Sequence, residues 1–466
     1  MGFTYEPASD SRSRPRDLRP TEMPPEMPVP QPILIVGAST RAAAQSAVRA
    51  GFEPWCLDQF ADEDLRACAH ILPLGSYPDG LPTAFAAAPD APWLYAGGLE
   101  NRPDVVAELA SIRPLLGNSA EALRLVRDPI WLAQLLERAQ LPRLAVSMTR
   151  PTGIEERRWL RKPLRSAGGR DIGFVSDSDE PLTESGVCYQ EFAAGLAISG
   201  LFLADGQRAT CLGLSRQLVG EPITHAPPFG YSGSIAPLGL EDLPAAAFEQ
   251  AQRLGELVAR EAQLVGLIGI DFVWEPSQQI AWLIEVNPRY PASAELYELA
   301  CGWPLIRWHA EPSAFELPVT ENRVRFGKLV LYADRTFRVA DLRAVPFADR
   351  VTFVADIPQP GSEIECGQPV CTLITQAETT EGCEQRLLAA AIAMNAAMSQ
   401  DCSFLKTRRS RDLSPLAPFG ERGARHSLRE SLTGSLTGSR LIRSDTSLSQ
   451  IGGFATLTQK TTDDNH

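Results

Sequence analysis

The alternation of apolar and polar positions changes character several times along the chain. Residues 33–37 (ILIVG) form a continuous apolar run, as expected of a strand buried on both faces. RAAAQSAVRA (41–50) follows, rich in helix formers, with Ser39 or Thr40 placed to cap its first turn and Gly51 to end it. FEPWCLD (52–58) resumes as a strand, so the opening predicts a strand–helix–strand unit with parallel strands. Ala120–Arg138 reads as helix interrupted at Pro129, and strands dominate from Arg157 to Leu214. A helix over Leu243–Ala262 sets Leu254, Leu257 and Val258 on one face, and a strand pair occupies 266–287. Residues 323–375 read as short strands and 376–400 as a closing helix.

The two ends lack such periodicity. Residues 1–30, ending in TEMPPEMPVP, and the Ser/Thr/Arg-rich 403–466, with its repeat SLTGSLTG, bury too little apolar surface to order and are expected to be disordered. Between them the layout is an α/β domain at 31–118, a larger two-lobed α+β domain at 119–310, and a β-rich block with its closing helix at 311–402. The tail carries ten basic against six acidic residues and suits a solvated tail or a weak contact arm for something acidic. The net charge of −13 disfavours a nucleic-acid partner, which needs cations along phosphates. No apolar run approaches the roughly 20 residues of a membrane span, and the N-terminus lacks the order of a signal peptide. Nine scattered cysteines without a Cys-x-x-Cys pair, and five histidines without ligand spacing, suit reduced thiols in a cytoplasmic protein.

Candidate chemistry concentrates in three places. LIGIDFVW (267–274), a short polar break and IAWLIEVNPR (280–289) form a hairpin. With a loop over Glu275–Gln279, Asp271 stands opposite Leu283, and strand alternation turns Asp271, Glu285 and Asn287 to one side. Acids in an apolar strand are costly unless paired or bound to metal. Two of them with a neutral oxygen beside them suit Mg²⁺, which takes one or two carboxylates and fills its shell with phosphate and water. Arg289 lies just beyond, placed to meet a phosphate or a charged intermediate. Surface ion pairing would also fit these acids, and a loop of even length would turn Asp271 away.

LRKPLRSAGGRDIGF (160–174) places Lys162 at a strand end before a loop with Gly168 and Gly169, whose backbone N–H groups can approach phosphate oxygens. A plain hairpin tip would read alike. VCYQEFAAG (187–195) is an extended segment able to serve as a hinge that reads a purine with its backbone, or simply a strand end. The turn at Gly37–Arg41, opening a helix, could take an anionic substrate group at Arg41 or be a tight turn.

In order and spacing these features resemble the ATP-grasp superfamily over about 30–375, including a C-terminal block like that of biotin carboxylase in GKLVLYA (327–333) and PQPGSEIECGQPVCTLI (358–374). The resemblance implies an ATP-grasp fold with a parallel-sheet domain ahead of the two-lobed one. It implies ATP contacts from Lys162, Gly168, Gly169, Arg170, Gln190, Glu191 and Phe192. It further implies Mg²⁺, with Mn²⁺ as a substitute, on Asp271, Glu285 and Asn287, and catalytic roles for Arg289 and Lys162. The loop GYSGSIAPL (230–238), with Ser232 and Gly233, and the preceding Arg216 and Gln217 are expected to face the acceptor, or to form a Gly-rich surface loop. Three positions depart from the family pattern. Arg127-Asp128-Pro129 stands where an Asp-Lys pair is common, Asp171 where glycine is frequent in the flap, and Ala197 near an expected ribose-binding acid.

The implied reaction is carboxylate–amine ligation of two small-molecule substrates through an acyl-phosphate, by a protein that could oligomerise. At finer grain the sequence resembles ATP-dependent carboligases related to biotin carboxylase from methylotrophs and planctomycetes. Those are associated with tetrahydromethanopterin and methanofuran-type C1 carriers. The alternatives are a biotin-carboxylase-like component, although no Met-Lys carrier signature is present, and a nucleotide-binding protein without catalysis.

Overall fold

The computed structural model describes residues 30–151, 158–176, 186–316, 324–339, 341–342, 345 and 351–409. The expected disordered ends lie outside this range, except that the closing helix runs on to Arg409. The first layer comprises β1 (Gln31–Gly37), α1 (Arg41–Arg49), β2 (Phe52–Asp58), α2 (Glu63–Arg66), β3 (His70–Ile71), α3 (Leu81–Ala86), β4 (Trp93–Tyr95) and α4 (Pro103–Ile112). Its strands form a parallel sheet in the order β3-β2-β1-β4, with Ile33, Ile35, Leu34 and Val36 buried on alternate faces. Thr40 stands at the N-cap of α1, as expected, but without capping it: its N–H and hydroxyl both donate to Asp58.

α5 (Ala120–Val126) and α6 (Pro129–Arg138) follow, broken where Pro129 predicts. Ser119 caps α5 and Asp128 caps α6. A four-stranded antiparallel sheet in the order β5-β8-β6-β7 uses β5 (Val146–Ser147), β6 (Trp159–Pro163), β7 (Gly173–Phe174) and β8 (Val187–Glu191). The chain then builds a large sheet from β9 (Leu196–Asp205), β10 (Ala209–Val219), β11 (Tyr231–Ala236), α7 (Ala245–Glu261), β12 (Val265–Glu275), β13 (Ile280–Asn287), α8 (Ala294–Cys301) and α9 (Leu305–Ala310). The last stretch holds β14 (Arg325–Tyr332), β15 (Phe337–Arg338), β16 (Phe353–Ala355), β17 (Glu363–Ile364), β18 (Pro369–Ala377) and α10 (Thr380–Arg409). The C-terminal strands do not form a separate sheet at large: β14 and β18 extend the same eight-stranded sheet, β13-β12-β9-β10-β11-β14-β18-β16.

The two faces of that sheet differ. On one, Ile198, Phe202, Ile268, Ile270 and Phe272 pack under α7. On the other, Leu201, Leu203 and Leu267 meet α8, α9 and α1 of the first layer. This second face also bears a polar row: Asp271 pairs with Ser199, Ser199 with Ser215, and farther along Gln217 with Ser234 and Ser234 with Lys328.

A buried charge network joins the first layer to the C-terminal strands. Arg41, 1% exposed, pairs with Glu295 of α8 and, at 2.9 Å, with Asp356. Lys328 lies 3.4 Å from Glu295, and Asp64 accepts from the backbone N–H groups of Asp356 and Ile357, both at 2.9 Å. Acids outnumber cations here. Burial, with Asp356, Asp58 and Asp64 nearby, pushes Asp62 up to about 8 although Arg41 opposes it. The folded chain therefore keeps a proton on Asp62 that the unfolded chain releases near pH 3.8, so stability contributed at this residue is lost as pH rises from there to about 8. Asp62→Asn removes the penalty: in thermal melts the variant should match the parent at pH 4 and exceed it by about 2 °C or more above pH 8.

Candidate nucleotide and metal site

The bend in β13 sets the geometry of the site. The hairpin loop is residues 276–279, one shorter than expected, so Phe272 rather than Asp271 stands opposite Leu283. An even loop alone would turn Glu285 to the far face. A β-bulge between Asp271 and Phe272 takes up Ile284 and brings Asp271 directly opposite Glu285. The burial pattern records the same step, with Ala281, Leu283 and then Val286 all in the core under α7. The expected convergence of Asp271, Glu285 and Asn287 holds, but by a different register.

Asp271 accepts from Gln217 Nε2 at 2.9 Å and from Asn287 Nδ2 at 3.0 Å. Burial, and then Glu285 across the strand pair, push its carboxyl up to about 6; Ser199, Arg289 and Asn287 pull the other way. Glu285 pairs with Arg127, and Asn287 Oδ1 accepts from Arg289 at 3.3 Å. Arg289 in turn donates to Glu100 at 3.0 Å, reached from the 3₁₀ turn Leu99–Asn101 of the first layer. Burial alone would raise Glu100, yet Arg289 holds it below the usual carboxylate range. Among the described residues no group of three or more His, Cys, Asp or Glu side chains is placed to hold a metal ion. Two carboxylates and an amide oxygen are the donor set that suits Mg²⁺ when phosphates and water complete its shell. Asp271, Glu285 and Asn287 therefore fit a divalent cation.

A cleft opens beside Glu285, between α5–α6, the small sheet and β13. One end is apolar, lined by Leu132, Leu136, Leu144, Val146, Cys188 and Leu283, and matches a purine ring. The other carries Arg127, Lys162, Gly168 and Gly169. Lys162 Nζ donates to Gln190 Oε1 at 2.9 Å across β6 and β8. A neutral amide leaves the ammonium uncompensated, with donors to spare for an anion.

The loop between β6 and β7 is folded down over this end. Gly168 and Gly169 have φ of +65° and +75°, and the Gly168 carbonyl accepts from Tyr231 N–H at 3.0 Å. A Cβ on Gly169 would collide with the Phe229 carbonyl, so glycine is required for this close approach.

Several expected contacts go elsewhere. Arg170 donates to the Gly367 carbonyl at 3.2 Å, outside the cleft. Glu191 accepts from Ala145 N–H at 3.1 Å, and the N–H groups of Glu191 and Phe192 are committed to Ala145 and Arg158. The Phe192 ring packs on Phe174 at 5.1 Å under the Arg158 guanidinium. Only Gln190 of that trio lines the cleft. Arg41 is enclosed by carboxylates, and Asp58 fills the helix end beside it. Arg216 pairs with Glu384 of α10 at 2.9 Å, on the face away from Asp271. Ser232 accepts from Glu221 N–H at 3.0 Å and closes a turn, and Gly233 serves the close approach of β11 to β14. Of the expected acceptor residues Gln217 alone reaches the acids. Within the expected loop at 230–238 the Tyr231 hydroxyl lies 2.8 Å from Ser234, and sequence reasoning missed Glu100 and Asn101. Their only signal is an acid and an amide just after the Gly-Gly that ends an apolar run.

Residues 127–293 match the family described as "ATP-grasp domain". Solved structures agree. L-amino acid ligase from Bacillus licheniformis superposes with a TM-score of 0.59 at 14% identity, over 77% of this chain and 96% of that one. N5-carboxyaminoimidazole ribonucleotide synthetase from Thermus thermophilus gives 0.58 at 16%, over 78% and 98%. The biotin carboxylase domain of Hydrogenobacter thermophilus 2-oxoglutarate carboxylase, in complex with MgADP, ADP and bicarbonate, gives 0.56 at 15%, over 76% and 88%. No curated protein matches. The fold is thus that of the ATP-grasp enzymes, a class of two-lobed nucleotide-binding architecture. Residues 127–293 of this chain form an ATP-grasp domain, set between a parallel-sheet layer and C-terminal strands.

The flap gives a direct test. Gly169→Ala should lift the loop from Phe229 and weaken ADP binding about tenfold, read by isothermal titration, without moving the melting temperature by more than about 2 °C; an unchanged affinity would separate the flap from the nucleotide.

Proposed function

We propose that the chain is an ATP- and Mg²⁺-dependent ligase that joins a carboxylate to an amine through an acyl-phosphate. The observation that carries this reading is the opposed pair Asp271–Glu285 at the polar end of the cleft, bordered by Lys162, Arg127 and Arg289. Mg²⁺, held by Asp271, Glu285 and Asn287, would supply neutralising charge for the phosphates. Lys162 binds phosphate oxygens, and the flap glycines exclude water above them. A substrate carboxylate oxygen attacks the γ-phosphorus and ADP leaves. The amine then attacks the acyl carbon, inorganic phosphate departs, and the amine proton passes to solvent. Arg289, fixed by Glu100, is placed to neutralise the carboxylate and the charge growing on it.

At finer grain the reading is an enzyme of C1-carrier biosynthesis, of the tetrahydromethanopterin or methanofuran type, which rests on the sequence resemblance. A cytoplasmic setting is supported by the eight described cysteines, none of which is in a disulfide. No helix among the described residues is long and apolar enough to cross a membrane. A carboxylating role shares the same site; the likeness to the bicarbonate-bound biotin carboxylase domain favours it as the second reading.

ADP release should appear with Mg-ATP and one member of a panel of amino acids paired with pterin and furan carboxylates. Bicarbonate-dependent release stimulated by biotin would favour the carboxylase instead. Glu285→Gln should cut kcat by about 100-fold or more with an unchanged circular dichroism spectrum. Lys162→Ala should raise the apparent KM for ATP about ten- to a hundredfold, the loss of a charge-assisted hydrogen bond. Full activity in Glu285→Gln would remove the metal assignment.

A further inference from the structure

Arg127 sits at the junction of three parts of the site. It is the C-cap residue of α5 and directly precedes Asp128, which caps α6, so its backbone is fixed. From there Nη1 pairs with Glu285, and Nη2 donates to Asn101 Oδ1 at 3.1 Å and to the Ser166 carbonyl at 3.0 Å. One guanidinium thus ties a metal-ligating acid to the first layer and to the flap. It also lines the nucleotide cleft, and its Nε–H is buried there without a partner. A buried donor left unsatisfied is costly, and it awaits an acceptor. Meanwhile the positive charge that Glu285 requires is already supplied by Arg127, and a divalent cation against the same carboxylate would face a like charge at contact distance.

We propose that Arg127 is a positioning residue that closes the metal site until a nucleotide arrives. Nucleotide phosphates offer the guanidinium, Nε included, a better set of acceptors than Glu285 and two neutral oxygens. Its transfer to the phosphates frees Glu285 for the cation and at the same moment releases Ser166 of the flap and Asn101. Metal binding is therefore conditional on nucleotide. This rests on the assignment of Asp271, Glu285 and Asn287 as metal ligands.

Mn²⁺ binding to the full chain, followed by loss of the free-ion electron paramagnetic resonance signal, tests this without turnover. The parent should bind Mn²⁺ alone weakly, and ADP should tighten binding about 100-fold. Arg127→Met, which keeps the length and removes the charge, should bind Mn²⁺ alone at least ten times more tightly than the parent while losing affinity for ADP. The gain should vanish in Arg127→Met/Glu285→Gln, which places the ion at Glu285. Arg127→Gln is read the same way if Arg127→Met fails to fold. Mn²⁺ binding to the Arg127 variants no tighter than to the parent, with ADP still promoting it in the parent, would overturn the gate and leave the metal site standing. No Mn²⁺ binding in any form, with or without ADP, would overturn the metal assignment and the gate together.

Discussion

Two carboxylates face each other across β12 and β13, and much of the surrounding architecture answers that constraint. Burial lifts the Asp271 carboxyl to about 6, and repulsion from the like charge of Glu285 at the adjacent strand position adds to it. Nearly every group within reach is a donor. Gln217 and Asn287 approach Asp271, Arg127 approaches Glu285, and Arg289 approaches Asn287. Arg289 itself is over-positive for so buried a place and recruits Glu100 from the first layer. A chain of alternating charge therefore runs from the hairpin into a different part of the fold, and each link holds the next in orientation.

The first layer contributes no cleft wall of its own in the manner of a dinucleotide-binding sheet. It supplies Glu100 and Asn101 to the site from one loop, and a second set of charges, around Arg41, to the far end of the same sheet face. Both contacts are polar and buried. Such pairs add little net stability once desolvation is counted, but they strongly disfavour other ways of docking the layer, since a shifted layer would leave charges unpaired.

The parallel layer, the helix pair split at Pro129 and the acid hairpin were legible because each is written in local periodicity. The apolar run at 33–37 and the acids of β12 and β13 needed nothing distant to be understood. Register was not legible. A loop one residue shorter than expected and a bulge at Ile284 cancel, so the right face followed from the wrong pairing, and neither change alone leaves a mark in the sequence. The misplaced contacts share another cause. Arg41, Arg216 and Ser232 are charged or polar residues beside a glycine-rich or helix-start motif, and the partners that claim them lie elsewhere: Glu295 and Asp356 for Arg41, Glu384 for Arg216, and a neighbouring turn for Ser232. For Glu191 and Phe192 the hinge motif was read as a unit, whereas alternation along β8 turns Glu191 to the side away from Gln190, and Phe192, beyond the end of the strand, packs on Phe174.

The eight-stranded sheet that runs without a break from β13 to β16 has a mechanical consequence. A plate hydrogen-bonded along its whole width transmits force as one body, so the C-terminal strands stiffen the strand that bears the acids rather than riding beside it. The four-stranded sheet shares no ladder with that plate, and the chain passes between them through residues 192–195 alone on the β8 side. Compliance is thereby confined to the roof of the cleft, while its floor acts as an anvil against which that roof can press.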